Sequence, residues 1–155
     1  MPEVTIRAAT PADIAHILRH RRAMFQEMGL APAAALDHME HVSETYLKTA
    51  LADGSYLGWL AQAAHGRVVA GGGLVIVRWP GFPLEPEPRR AWILNIYTDP
   101  DFRRRGLATR ITKEIVDWCR AAGFASVSLH ASDDGRPLYQ ALGFQPTNEM
   151  RLQLG

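Results

Sequence analysis

Two β-rich runs joined through one amphipathic helix constrain this chain more than any other feature. Residues 92–98, Trp-Ile-Leu-Asn-Ile-Tyr-Thr, form the first run and residues 126–131, Ser-Val-Ser-Leu-His-Ala, the second. Between them Leu107, Ile111, Ile115, Trp118, Cys119 and Ala122 recur at helical spacing, and Gly123 ends the stripe. Strands connected through a helix of that length lie parallel in one sheet, with a right-handed crossover. The chain therefore needs a sheet containing at least one parallel pair, covered by this helix.

The remaining segments supply the other strands. Residues 4–7 alternate as a short strand, and Thr10, Pro11 and Asp13 start a helix whose apolar positions run from Ile14 to Met28 before Gly29. Residues 30–36 read as a loop, and a second helix runs from Asp37 to the Asp53-Gly54 stop. Residues 56–63 and 67–77 are β-rich and separated by Ala64-His65-Gly66, a hairpin signal; Gly71-Gly72-Gly73 inside the second marks a bulge or a close approach. Four prolines make 79–90 a constrained loop, residues 136–142 are a short helix stopped by Gly143, and 149–154 alternate as a last strand. The expected fold is mixed α+β in a single domain over residues 1–155, a size that supports one self-sufficient core.

Charge and composition narrow the function. Seventeen Lys and Arg against sixteen Asp and Glu give a net charge of +1, which argues against nucleic acid or an anionic membrane as a whole-surface partner. Cys119 is the sole cysteine, so no internal disulfide or multi-cysteine zinc site is available. The apolar run at 68–77 is far short of the ~20 residues that span a bilayer, and residues 1–22 lack a signal core, so a cytoplasmic protein is expected.

The chemistry concentrates at Asp99-Pro100-Asp101-Phe102-Arg103-Arg104-Arg105-Gly106-Leu107-Ala108-Thr109, where strand turns into helix. The first N–H groups of a helix lack internal partners and carry partial positive charge. Gly106 and Ala108 leave those groups accessible, and Arg103, Arg104 and Arg105 add full charges, so the turn reads as a phosphate or pyrophosphate site. Neither G-x-x-x-x-G-K-[ST] nor a G-x-G-x-x-G after the first strand is present.

Arg103-x-x-Gly106-x-Ala108 resembles the [QR]-x-x-G-x-[GA] signature of the GNAT superfamily of N-acetyltransferases, and the segment from Ser132 through Leu138-Tyr139 to Gly143-Phe144 resembles that family's N-x-x-A-x-x-L-Y-x-x-x-G-F block. The resemblance implies a mostly antiparallel mixed sheet flanked by helices, with a splayed parallel pair opening a slot for acetyl-CoA as acyl donor. It places the pantetheine along Ile96, Tyr97 and Thr98 and the pyrophosphate on the N–H groups of Arg104, Arg105, Gly106, Leu107, Ala108 and Thr109. Ser132 takes the place of an asparagine that holds the pantetheine, and Tyr139 that of the tyrosine beside the thioester sulfur, a proton donor. It implies no metal, an amine acceptor that is a small molecule or a peptide, and a homodimer as a common assembly. Trp92 stands where some members carry a glutamate base, which leaves deprotonation to a water chain or to an acid or histidine elsewhere, with Glu27, His130 and Glu149 as the candidates and none of them singled out. That departure keeps a second reading open, a catalytically silent CoA-binding or sensing module.

Plainer readings accompany several of these residues. His16 and His20 fit an exposed helix face better than a metal pair, and Asp37, His38, Glu40, His41 and Glu44 fit a solvated face better than an amine-attracting patch. Cys119 reads as a buried apolar residue, Tyr139 has packing neighbours, and Trp59, Trp79 and Trp92 are core residues or the lining of an acceptor pocket.

Overall fold

The computed structural model describes residues 3–155. Its five strands are β1 (Thr5–Ala8), β2 (Tyr56–Gln62), β3 (Val68–Arg78), β4 (Arg89–Thr98) and β5 (Ser128–Leu129); its helices are α1 (Ile14–Met28), α2 (Ala33–Asp53), α3 (Leu107–Ala121) and α4 (Arg136–Ala141). The strands form one sheet in the order β1-β2-β3-β4-β5, antiparallel except for the β4–β5 pair, which is parallel. The α+β expectation and the parallel pair flanking α3 both hold.

Each face of the sheet has its own core. Leu107, Ile111, Ile115 and Cys119 of α3 pack with Val69, Leu74 and Ile93 of the sheet. Ile17 and Leu18 of α1 pack with Leu47 and Ala50 of α2 and with Tyr56. The Gly71-Gly72-Gly73 run sits beneath both. A methyl group on Gly71 would meet the His20 ring, one on Gly72 would meet Ile96 and Ile111, and one on Gly73 would overlap the Tyr56 hydroxyl. Three missing side chains thus let α1, α3 and an interior tyrosine approach the middle of β3, the close approach that the glycines signalled.

Several boundaries differ from expectation. The loop expected at 30–36 is helical from Ala33, because Pro32 lacks an N–H and fits just outside the first turn while alanines follow it. β4 begins at Arg89 rather than Trp92. Arg89 donates to the carbonyl of Ala122 at 2.8 Å and stacks on Phe124, which ties the start of β4 to the end of α3. The strand expected at 126–131 pairs only at Ser128 and Leu129, and the final strand expected at 149–154 has no ladder at all. No described helix is long and apolar enough to cross a membrane.

Candidate active site

β4 carries a bulge at its centre. Gly71 of β3 faces Tyr97 and Gly73 faces Leu94, so Gly72 alone stands opposite Asn95 and Ile96. Asn95 takes a positive φ of 60°, uncommon for any residue but glycine. It is held there from two sides: Arg21 donates to its Oδ1 at 2.7 Å, and its Nδ2 donates to the Tyr56 hydroxyl at 2.9 Å. Burial pushes the Tyr56 hydroxyl up to about 12, so it stays protonated. A bulge bends its strand and leaves backbone groups outside the ladder. On the other side of β4, pairing with β5 stops after Trp92–Ser128 and Ile93–Leu129. Leu94 to Thr98 therefore face a gap rather than a strand, and that gap is the slot which the parallel pair was expected to open.

The turn below the gap is built as an amide cradle. A short helical turn, Pro100–Phe102, follows β4; Arg104 has φ 60° and Gly106 φ 73°, and α3 starts at Leu107. The first N–H of this region to find a backbone acceptor is that of Arg110, which donates to the Gly106 carbonyl at 3.0 Å. Among the described residues, the N–H groups of residues 104–109 donate to no protein acceptor. A methyl group on Gly106 would meet nothing within 4 Å, so its missing side chain faces open space.

The three arginines behave differently from one another. Arg103 turns away from the cradle: it donates to both Glu27 oxygens at 2.8 and 2.7 Å and to the Thr98 carbonyl at 2.9 Å. Sequence alone placed Arg103 with its neighbours, because its partner Glu27 lies on α1, 76 positions away. Arg105 donates to the Asp101 carbonyl at 3.0 Å and lies over the Phe102 ring. Arg104 has no hydrogen-bond or ion-pair partner among the described residues. The Thr98 carbonyl, expected along the pantetheine, is thus already an acceptor for Arg103, while the Ile96 side chain packs toward α3 and Tyr97 is buried against His20.

Ser132 and Tyr139 belong to the segment after β5, at the approach to α4 and within it, and Tyr139 lines a cavity together with Trp92 of β4 and Leu129 of β5. The Ser132 hydroxyl accepts from the Gly135 N–H at 3.1 Å and so shapes the start of that helix. The Tyr139 ring packs edge-on against Phe144, and its hydroxyl has no partner among the described residues yet is not sealed from solvent. Burial raises the Tyr139 hydroxyl above the usual phenol range.

The candidate bases separate cleanly. Glu27 is committed to Arg103 and accepts from the Tyr97 hydroxyl at 3.3 Å. His130 and Glu149 are brought together, Nε2 to carboxylate, and the imidazole lies 5.0 Å from the Trp92 ring. That contact, with help from Arg151, holds the Glu149 carboxyl below its ordinary range.

Other expectations are corrected. His20 is buried, not exposed, because Gly71 vacates the space its ring fills. Trp59 packs on Trp118 of α3 and Trp79 is 53% exposed, so of the three tryptophans only Trp92 stands by the gap. The acidic residues of α2 are in part neutralised locally: Arg22 pairs with Asp37 and Glu40, and Lys48 with Glu44.

Comparison with known proteins accords with this arrangement. The model of the acetyltransferase (GNAT) family matches residues 19–144. A GCN5-related N-acetyltransferase from Ralstonia eutropha JMP134 superposes with a TM-score of 0.90 at 36% identity, covering 98% of this chain and 99% of that one. A predicted acetyltransferase from Clostridium acetobutylicum, solved with acetyl-CoA, gives 0.88 at 25% identity, covering 99% and 96%. An aminoglycoside N(6')-acetyltransferase type 1 from Acinetobacter genomosp. 13 is 33% identical over 63 residues, 39% of this chain, and the matched stretch spans 43% of that protein's length. The chain belongs to the GNAT acetyltransferase family.

Proposed function

We propose that this chain transfers an acetyl group from acetyl-CoA to a primary amine, by direct attack of the amine within a ternary complex. The observation that carries the proposal is the row of undonated N–H groups at residues 104–109 beneath the open side of β4. Diphosphate oxygens are the acceptors such a row suits, because several convergent N–H dipoles and a helix N-terminus act on one compact charge. Arg104 and Arg105 add charge at the rim, whereas Arg103 fixes the turn to α1 through Glu27. The pantetheine then runs along the free side of Ile96, Tyr97 and Thr98, with Ser132 across the gap.

Attack by a neutral amine on the thioester carbonyl forms the C–N bond and a tetrahedral oxyanion; backbone N–H groups freed by the Asn95 bulge lie on the strand where that charge develops. Collapse breaks the C–S bond. The raised Tyr139 hydroxyl keeps its proton at neutral pH and donates a hydrogen bond to sulfur as negative charge builds there. The proton that the thiolate finally takes comes from the ammonium formed by the attack. His130 is the base that first frees the amine: Glu149 accepts from Nε2–H, which leaves the Nδ1 lone pair available beside Trp92. A His–Glu pair thereby replaces the glutamate that some relatives carry at position 92.

Thiol release from acetyl-CoA, measured against a panel of aminoglycosides, polyamines, amino acids and short peptides, tests the activity. Tyr139→Phe is expected to lower kcat by roughly 10- to 100-fold while leaving the Kd for acetyl-CoA within about threefold, the scale of one lost hydrogen bond to a charged group, about 1.5–3 kcal/mol. Thermal stabilisation by CoA without transfer to any amine would leave a silent binding module, and an unchanged kcat in Tyr139→Phe would return that residue to packing alone.

A further inference from the structure

Several arginines of this fold face a carboxylate. Arg7 pairs with Asp13, Arg19 with Asp99, Arg22 with Asp37 and Glu40, and Arg103 with Glu27. Arg89 meets the end of α3 through the Ala122 carbonyl, where the helix dipole supplies negative charge. Arg21 of α1 has neither. Its one hydrogen bond runs from Nη1 to the neutral amide oxygen of Asn95, and it forms no ion pair among the described residues. Its Nε is buried without a partner; Nη2 has no protein partner among the described residues either and is open to solvent. Burial pulls Arg21 below the ordinary guanidinium range, whereas hydrogen bonds to carboxylates raise Arg7, Arg22 and Arg103 above it. A guanidinium stays charged at physiological pH, so a half-buried one without a counter-charge is costly until something completes it.

Its position gives that deficit a use. Asn95 is the bulged residue of β4, so Arg21 stands one hydrogen bond from the strand segment at which the amine is proposed to attack. The guanidinium carbon lies over the Phe25 ring, 5.5 Å from its centroid. Tyr46 of α2, 45% exposed, packs edge-on against Tyr56, and these two phenols are the ionisable groups that bear on Arg21. The nearby carboxylates of α1 and α2 are already engaged: Glu27 by Arg103, Asp37 and Glu40 by Arg22, and Glu44 by Lys48. A cation over an aromatic ring with a free donor edge suits a compact oxyanion, which it takes through short charge-assisted hydrogen bonds.

We propose that the acceptor is a primary amine that also bears a compact oxyanion, a carboxylate or a phosphate, and that Arg21 is the residue that selects it. This inference rests on the amine-acetyltransferase reading above and names the substrate class of that site. The anion supplies the counter-charge that the fold withholds, and its contact with Nη2 holds the amine beside the Asn95 bulge. An amine without an anion leaves the guanidinium uncompensated, and a polycationic aminoglycoside adds like charge to it.

Thiol release from acetyl-CoA with matched pairs of amines tests the selection: glycine, β-alanine and 4-aminobutyrate, each against its carboxamide, and phosphoethanolamine against ethanolamine. The carboxylate and phosphate arms tell the two anions apart. In each pair the uncharged member has the less basic amine, so amine ionisation works against the expected result and cannot imitate it. kcat/KM is expected to favour the anionic member of at least one pair by roughly 10- to 100-fold, the scale of a hydrogen bond to a charged group. Arg21→Gln removes the charge and keeps a donor for Asn95; in it the ratio is expected to fall to within about threefold of unity, with part of it recovered in Arg21→Lys. A ratio taken within one variant cancels any general loss of activity or of folded protein. Equal or better turnover of the uncharged members by the parent, turnover of aminoglycosides alone, or an unchanged ratio in Arg21→Gln overturns the inference and leaves the transferase reading in place. Absence of thiol release with every amine removes that reading, and this inference with it.

Discussion

Replacing Gly106 by aspartate and, separately, by asparagine isolates one charge at the cradle. Both residues tolerate a positive φ better than most, and their side chains have nearly the same size. The site has room for either, since a methyl group there meets nothing within 4 Å, so the two variants share whatever backbone strain the φ of 73° imposes. They differ in that the aspartate places a carboxylate next to the N–H groups proposed to hold a diphosphate. Two unit charges about 4 Å apart repel by about 1 kcal/mol in bulk water and about 4 kcal/mol at the effective dielectric of a protein surface. Calorimetric titration with CoA should therefore show the aspartate variant binding roughly 5- to 1000-fold more weakly than the asparagine variant, with the difference shrinking in 1 M salt. Stability should move the other way. A carboxylate at the start of α3 complements the helix dipole by about 0.3–1 kcal/mol, so the aspartate variant should melt no lower than the asparagine one. Equal CoA affinity in the two variants would refute the assignment of the diphosphate to this turn.

Three further outcomes follow from the same geometry. Burial pushes His20 down to about 4, and Arg19, which can only donate, contacts its Nε2 at 3.0 Å and so requires the neutral ring. Between pH 6.5 and pH 4 the unfolded chain takes up a proton at this position that the folded chain refuses, so stability is lost as pH falls, by about 3 kcal/mol at the lower end. Urea titrations across that range should show this slope in the parent and a shallower one in His20→Asn; parallel slopes would contradict it. Gly73→Ala would overlap the Tyr56 hydroxyl and lie 2.5 Å from its Cζ, inside a ring that is 1% exposed and tied to Asn95. Overpacking of that kind costs about 1–3 kcal/mol, and the melting temperature should fall by several degrees; an unchanged melting temperature would mean the ring moves freely. The His130 base predicts that His130→Gln lowers kcat/KM at neutral pH by roughly 100-fold or more, and a parent-like rate would point to another group.

What the sequence disclosed and what it hid divide along the range of the interactions involved. α3 was readable because one helix carries both its apolar stripe and its glycine stop, and the cradle was readable because one local run, Arg104 to Thr109, makes it. The Asn95 bulge was not, since its cause lies in Arg21 and Tyr56, neither near it in sequence. Arg103 looked like one of three equivalent cations until Glu27 claimed it, and His20 looked solvent-facing until Gly71 made room for it. The alternation at 149–154 suggested a strand, but the segment pairs with no other strand, since a local alternation does not by itself supply the partner edge a ladder needs. The Leu-Tyr-x-x-x-Gly-Phe block singled out Tyr139 without indicating that burial would raise its hydroxyl.

The most direct measurement is a crystal structure of the full chain with acetyl-CoA. The account predicts diphosphate oxygens about 2.9 Å from backbone nitrogens within residues 104–109, and the thioester in the gap between β4 and Tyr139. Acetyl-CoA bound in another groove, with those nitrogens left to solvent, would contradict it.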